Sequence, residues 1–134
     1  MEPHIGEGEN LLVEKRIFSK EKFKRGDIVI FHFPLNRKKI FVKRVIGLPG
    51  ETVEIKRGVV FIDGKRLNEP YLKGDISDKS NMSPVNIPEG AYFVLGDNRS
   101  VSNDSRNWGV LPDKFIIGKV LFSYWPPSKI GEVK

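Results

Sequence analysis

KIFVKRVIG, residues 39–47, places two positive charges inside a run that otherwise has the composition of a core strand. In an extended chain, side chains alternate between two faces. Phe41, Lys43 and Val45 then share one face, and Val42, Arg44 and Ile46 share the other. Whichever face turns inward, a cation sits between two hydrophobic neighbours.

The stretches around it have the same character. NLLVEKRIF, DIVIFHF, ETVEIKRG, VVFIDGKRL, AYFVLGD and IGKVLFSYW are short, rich in Val, Ile and Phe, and separated by turn residues. That pattern predicts strands. The Asp-Gly of IDGKR predicts a tight hairpin, and GLPGET a turn between two strands. The one helical turn expected lies near LPDKFI, with Pro112 in its first turn. The fold class expected is all-β and antiparallel, a barrel-like core of coiled sheet carrying a small hairpin and loop insertion. Residues 68–90, NEPYLKGDISDKSNMSPVNIPEG, are polar, contain three prolines and follow no period. They read as a surface excursion attached to VVFIDGKRL. The expected division is therefore a discontinuous core, residues 1–56 and 90–134, with residues 57–89 inserted between its halves.

The chain has 134 residues and a formal net charge of +6. Much of that charge lies in mixed-sign stretches such as EKRIFSKEKFKRGD, a solvated face by composition. Without cysteine there is no disulfide, thiol nucleophile or thiolate metal site. No run approaches the about 18 apolar residues that span a bilayer, so the chain as it stands is expected to be soluble. No cofactor, metal site or phosphate-binding glycine loop is expected.

Two constellations carry chemistry. An ordinary lysine, with a pKa of about 10.4, is almost wholly protonated at neutral pH. Desolvation disfavours the charged form, so an inward Lys43 is a route to a general base without histidine. The competing reading puts Lys43 or Arg44 on a solvent face. The second constellation is GDNRSVSNDSRNWG, residues 96–109, a polar loop directly after an apolar strand. Asp104 and Arg106 either pair or each brace a different piece of backbone, and Ser102 and Ser105 offer hydroxyls to an amine. A histidine triad through His32 or His4 has little support, since neither lies by a suitable turn.

Together these stretches resemble the bacterial type I signal peptidases, membrane-bound Ser/Lys proteases. MEPHIGEGENLLVEK is similar to the segment following the nucleophile, KRGDIVIF to the next strand, VKRVIGLPGETVEI to the strand bearing the base, and GDNRSVSNDSRNWG to the final box. The resemblance implies Lys43 as general base, Ser102 as the serine that orients it, and Asp97, Asp104 and Arg106 as supports, the last two as an ion pair. It puts Met1 and Pro3 just after the nucleophilic serine, which would precede Met1. SNMSP, residues 80–84, has Asn81 in the serine's place but follows Lys43 and is discounted. His4 and Ile5 stand where the family has Thr-Leu, and Ser100 and Val101 where Asp-Asn is common.

The implied activity is removal of signal peptides from exported preproteins, with small residues one and three positions before the cut. The implied location is the outer face of the cell membrane, reached through an N-terminal anchor. On this reading the sequence is a soluble core, inactive for want of the serine. Two other readings remain at this point: a non-catalytic binder of signal peptides, and a basic nucleic-acid-binding β-barrel resting on the net charge with Phe31 and Phe33.

Overall fold

The computed structural model describes residues 10–15, 22–72 and 78–125. In chain order the elements are β1 (Asn10–Lys15), β2 (Ile28–Phe33), β3 (Asn36–Gly47), β4 (Thr52–Lys56), β5 (Val59–Ile62), β6 (Lys65–Arg66), β7 (Met82–Asn86), β8 (Ala91–Leu95), α1 (Ser105–Trp108), β9 (Leu111–Pro112), a 3₁₀ turn (Asp113–Phe115) and β10 (Ile116–Trp125). Every strand pair is antiparallel. A six-stranded sheet runs β1-β10-β2-β3-β8-β9, and a four-stranded sheet runs β6-β5-β4-β7. The protein is all-β, and among the described residues the outer strands of the larger sheet do not pair to close a barrel.

The second half of β3 and all of β8 are covered on both faces, which explains why their sequences are apolar at successive positions. Val45, Tyr92 and Val94 join Val29, Phe31 and Leu111 in one core cluster. Ile46, Phe93 and Leu95 join Val53, Val60 and Ile87 in another, shared with the smaller sheet. From Phe41 to Gly47 both faces therefore turn inward, and each of the two cations there, Lys43 and Arg44, needs a partner of its own.

Turn chemistry sets the smaller sheet. Asp63 and Gly64 both take positive φ, 50° and 82°, between β5 and β6, as the two-residue hairpin loop requires. Arg25 holds the Glu51 carboxylate through two bonds of 2.6 and 2.8 Å, tying the entry to β2 to the turn after β3.

Four elements depart from the sequence reading. β7 lies within the expected excursion and pairs with β4, and Asn81 accepts the Arg57 backbone N–H at 2.9 Å. α1 forms inside the polar loop, capped by Asp104. The turn near LPDKFI is the 3₁₀ segment, with Pro112 at its cap position instead of inside it. β4, placed in the core by the sequence, pairs only within the smaller sheet.

Candidate active site

Lys43 stands in β3 opposite Val29 of β2, and its half-buried side chain lies on the face of Phe41 and Val45. Arg44 pairs across the sheet with Leu95, so the chain leaving β8 at Gly96 runs out towards Lys43. The loop then brings Ser102 back over that point. Lys43 Nζ donates to Ser102 Oγ at 2.7 Å across 59 residues of sequence.

Gly96 makes this approach possible. A Cβ built there would stand 2.6 Å from Ser102 Cβ and 3.3 Å from Lys43 Nζ, and would collide with Ser102 Oγ. Ordinary contacts between carbons are about 3.5–4.0 Å, so only a residue without a side chain fits. The sequence reading missed Gly96. Its signal was a glycine directly after a fully apolar strand, where the backbone is approached closely.

Asp104, fully buried, organises the loop from inside. Its carboxylate accepts the Gly96 N–H at 3.1 Å and the Arg106 backbone N–H at 3.1 Å, capping α1. It also takes the Arg106 guanidinium through two bonds of 2.9 Å. Asp104 and Arg106 thus form an ion pair and brace backbone at the same time. Ser105 Oγ accepts the Val94 N–H at 3.0 Å, fixing α1 to β8.

Burial pushes the Lys43 ammonium below the ordinary lysine range. The Asp104 carboxylate pulls the other way, and the Arg106 charge offsets that pull. The Phe41 ring, 5.7 Å from Nζ, lies near the limit of cation–π reach and does little to hold the charged form.

Arg44 is not on a solvent face. It is 3% exposed and grips Asp97 through bonds of 3.0 and 2.8 Å, with a third to the Gly26 carbonyl and its guanidinium 4.1 Å over the Tyr71 ring. Asp97 therefore supports the strand through the opposite face from Lys43 and acts on the amine only through its field. Glu69, Tyr71 and Arg99 also went unread in the sequence. Arg99 donates to Gly96 O at 2.8 Å and pairs with Glu69. Met1 and Pro3 lie outside the described residues.

A cleft of about 440 Å³ opens beside Ser102, lined by Asp78, Ser80, Met82, Val101 and Asn107. Its lining is largely polar. Among the described residues no three His, Asp or Glu side chains converge on a metal position. What the arrangement offers is a partly dehydrated amine, oriented by a hydroxyl and still carrying a lone pair when neutral. That is the equipment of a proton acceptor.

Comparison with known proteins identifies the family. The family described as signal peptidase, peptidase S26 matches residues 1–125. A probable signal peptidase I-1 of Synechocystis is 41% identical over 140 residues, covering 99% of this chain and 70% of the relative. Signal peptidase IB of Staphylococcus aureus is 39% identical over 145 residues, covering 96% and 75%. Among solved structures, a signal peptidase I from Enterococcus faecalis superposes with a TM-score of 0.65 at 36% identity, over 74% of this chain and 97% of that one. The chain belongs to the signal peptidase, peptidase S26 family.

Proposed function

We propose that the protein removes signal peptides as a Ser/Lys endopeptidase with Lys43 as general base. The observation that carries this reading is the 2.7 Å bond from a partly buried Lys43 Nζ to Ser102 Oγ. The attacking serine is assigned to the position before Met1. Neutral Lys43 takes the proton of its hydroxyl while the oxygen attacks the scissile carbonyl. The C–N bond then breaks, the lysine returns the proton to the leaving amine, and an acyl ester remains. Neutral again, Lys43 takes a proton from water as the water oxygen attacks the ester. The acyl C–O bond breaks, the lysine returns the proton to the serine oxygen, and the acyl product leaves with a free carboxyl end. Ser102 holds Nζ in place through one N–H, leaving the lone pair for this traffic. Asp97, Asp104 and Arg106 hold the loop and strand that carry the pair. Residues 57–89, which build the smaller sheet against β4, are proposed as an insertion into the core formed by 1–56 and 90–134.

The preferred substrates are taken to be preproteins with small side chains at the two positions named above, cut at the outer membrane face. No helix among the described residues is long and apolar enough to cross a membrane. The β2–β3 hairpin is assigned to the lipid surface. Leu35 and Ile40 are 74% and 53% exposed there, beside exposed Arg37, Lys38 and Lys39. Residues 28–50 contain neither Asp nor Glu. An apolar tip with a basic collar suits an anionic bilayer interface.

The test is a chain in which serine precedes Met1, offered a peptide with an Ala-x-Ala cleavage site. Cleavage is expected, and kcat/KM is expected to rise with pH as Lys43 deprotonates, the rise lying below the ordinary lysine range. Lys43→Ala should abolish turnover. Turnover retained in that variant would remove Lys43 from the base role.

A further inference from the structure

Ser102 rides on the loop from Gly96 to Asp104, so whatever fixes that loop fixes the hydroxyl. Three hydrogen bonds tie the loop together. Asp104 Oδ2 accepts the Gly96 N–H at 3.1 Å, Arg99 Nε donates to Gly96 O at 2.8 Å, and Arg106 Nη2 donates to Arg99 O at 2.8 Å. The Arg106 charge meets Asp104 within the loop itself. The Arg99 charge does not. Its side chain is 2% exposed, and among the described residues its salt-bridge partner is Glu69, which comes from the chain beyond β6.

Glu69 is built for this contact. Its Oε2 accepts from Arg99 Nη2 at 2.5 Å, its Oε1 from Nη1 at 3.3 Å, and Oε2 also accepts the Tyr71 hydroxyl at 2.6 Å. The carboxylate is itself only 7% exposed. Burial and the Glu69 charge push the Tyr71 phenol up, so it stays a proton donor to the carboxylate. A buried guanidinium that loses its counter-charge does not stay where it is, because an unpaired charge in a protein interior is strongly unfavourable. Arg99 would turn towards water and release Gly96 O. Gly96 lies so close beneath the pair that a Cβ there would collide with Ser102 Oγ and stand 3.3 Å from Lys43 Nζ, so the seat of the hydroxyl would loosen with it.

From these contacts we propose that Glu69 is a positioning residue: by neutralising Arg99 it fixes Gly96, and through Gly96 the placement of Ser102 against Lys43. The proposal rests on the reading of Lys43 and Ser102 as the working pair, but its test separates the two. NMR of the chain is recorded for the natural sequence, Glu69→Gln and Glu69→Asp. The nuclear Overhauser contact between Lys43 Hε and Ser102 Hβ reports positioning, whatever the chemical role of the lysine. The Lys43 Cε titration reports the base. Glu69→Gln is expected to weaken the Overhauser contact at least about threefold and to raise the Lys43 midpoint by about one pH unit, as the amine regains water. Glu69→Asp keeps the charge and should fall between; should the Gln variant not fold, it carries the comparison. Glu51→Gln removes an ion pair elsewhere and should lower stability without moving either signal.

Unchanged Lys43 and Ser102 signals in a folded Glu69 variant would overturn the proposal, as would an equal change in Glu51→Gln. A Lys43 midpoint in the ordinary range in the natural sequence would sink the base reading alone, with the Overhauser contact still deciding the role of Glu69.

Discussion

Lys43 and Arg44 are neighbours in sequence with opposite fates, and the cause is the pleat. Each points into a covered face, and a lysine and an arginine answer burial differently. The guanidinium stays charged and takes a bidentate carboxylate, Asp97, with side-chain exposures of 4% and 0%. The ammonium, without a salt-bridge partner among the described residues and beside an ion pair that largely balances itself, is the one whose pKa burial lowers. Gly96 is where these requirements meet. Gly96→Ala would press a methyl into Ser102 and Lys43 Nζ, and neither backbone has room to retreat while Asp104 and Arg99 hold Gly96 from both sides. Overpacking of this kind costs about 1–3 kcal/mol. Displacing the hydroxyl by about 1 Å should lower kcat by about 100-fold with little change in KM. A urea melt together with kinetics of the serine-bearing chain checks both. Unaltered kcat would mean that the close approach at Gly96 plays no part in aligning the pair.

At the scale of elements, the β2–β3 hairpin shows how local pairing displays charge. Phe33 pairs with Asn36 and His32 with Ile40, so Arg37, Lys38 and Lys39 have no residue opposite them. The bulge throws three consecutive cations outward, where a regular strand would alternate them. With each cation near an anionic surface contributing about 1 kcal/mol, Lys38→Ala together with Lys39→Ala should cut partitioning onto phosphatidylglycerol vesicles on the order of 30-fold. Binding to phosphatidylcholine vesicles should be weak for both chains. Equal binding of the two chains to the anionic vesicles would remove the hairpin from the contact. The strands that build this hairpin were legible because their apolar residues are dense and their turns carry Pro, Gly or Asp. β7 was not. It is an edge strand, MSPVN, with only Met82 and Val85 partly covered, and its edge position tolerates Pro84. α1 has four residues, too few for a period, and its one local sign was the capping Asp104. The site was half legible for a related reason. The bond joining Lys43 to Ser102 spans 59 residues and was expected only through family resemblance, while Glu69 meets Arg99 across 30 residues with no motif to announce it.

The whole molecule is held together by two strands that belong to both cores. Ile46, Phe93 and Leu95 sit in the larger sheet, yet they pack with Val53, Val60, Ile62 and Ile87 around the smaller one. Melting the smaller sheet alone would bare those three side chains. At about 1.5–3 kcal/mol for each large apolar group, the exposure costs roughly 5–9 kcal/mol. That is comparable to the total stability of a domain this size, about 5–15 kcal/mol. Breaking Arg99–Glu69 in the same step adds to the cost, because it leaves buried charge behind. The larger sheet therefore has little stability to spare once its neighbour is gone, and the two should unfold as one unit. Amide signals of Val60 in the smaller sheet and Val94 in the larger, followed through a urea titration, are expected to share one midpoint. A Val60 transition at clearly lower urea would mean that the smaller sheet opens by itself. In that event Glu69 would leave the Gly96–Asp104 loop well before the larger sheet unfolds, and the bracing of Ser102 would be conditional on local stability.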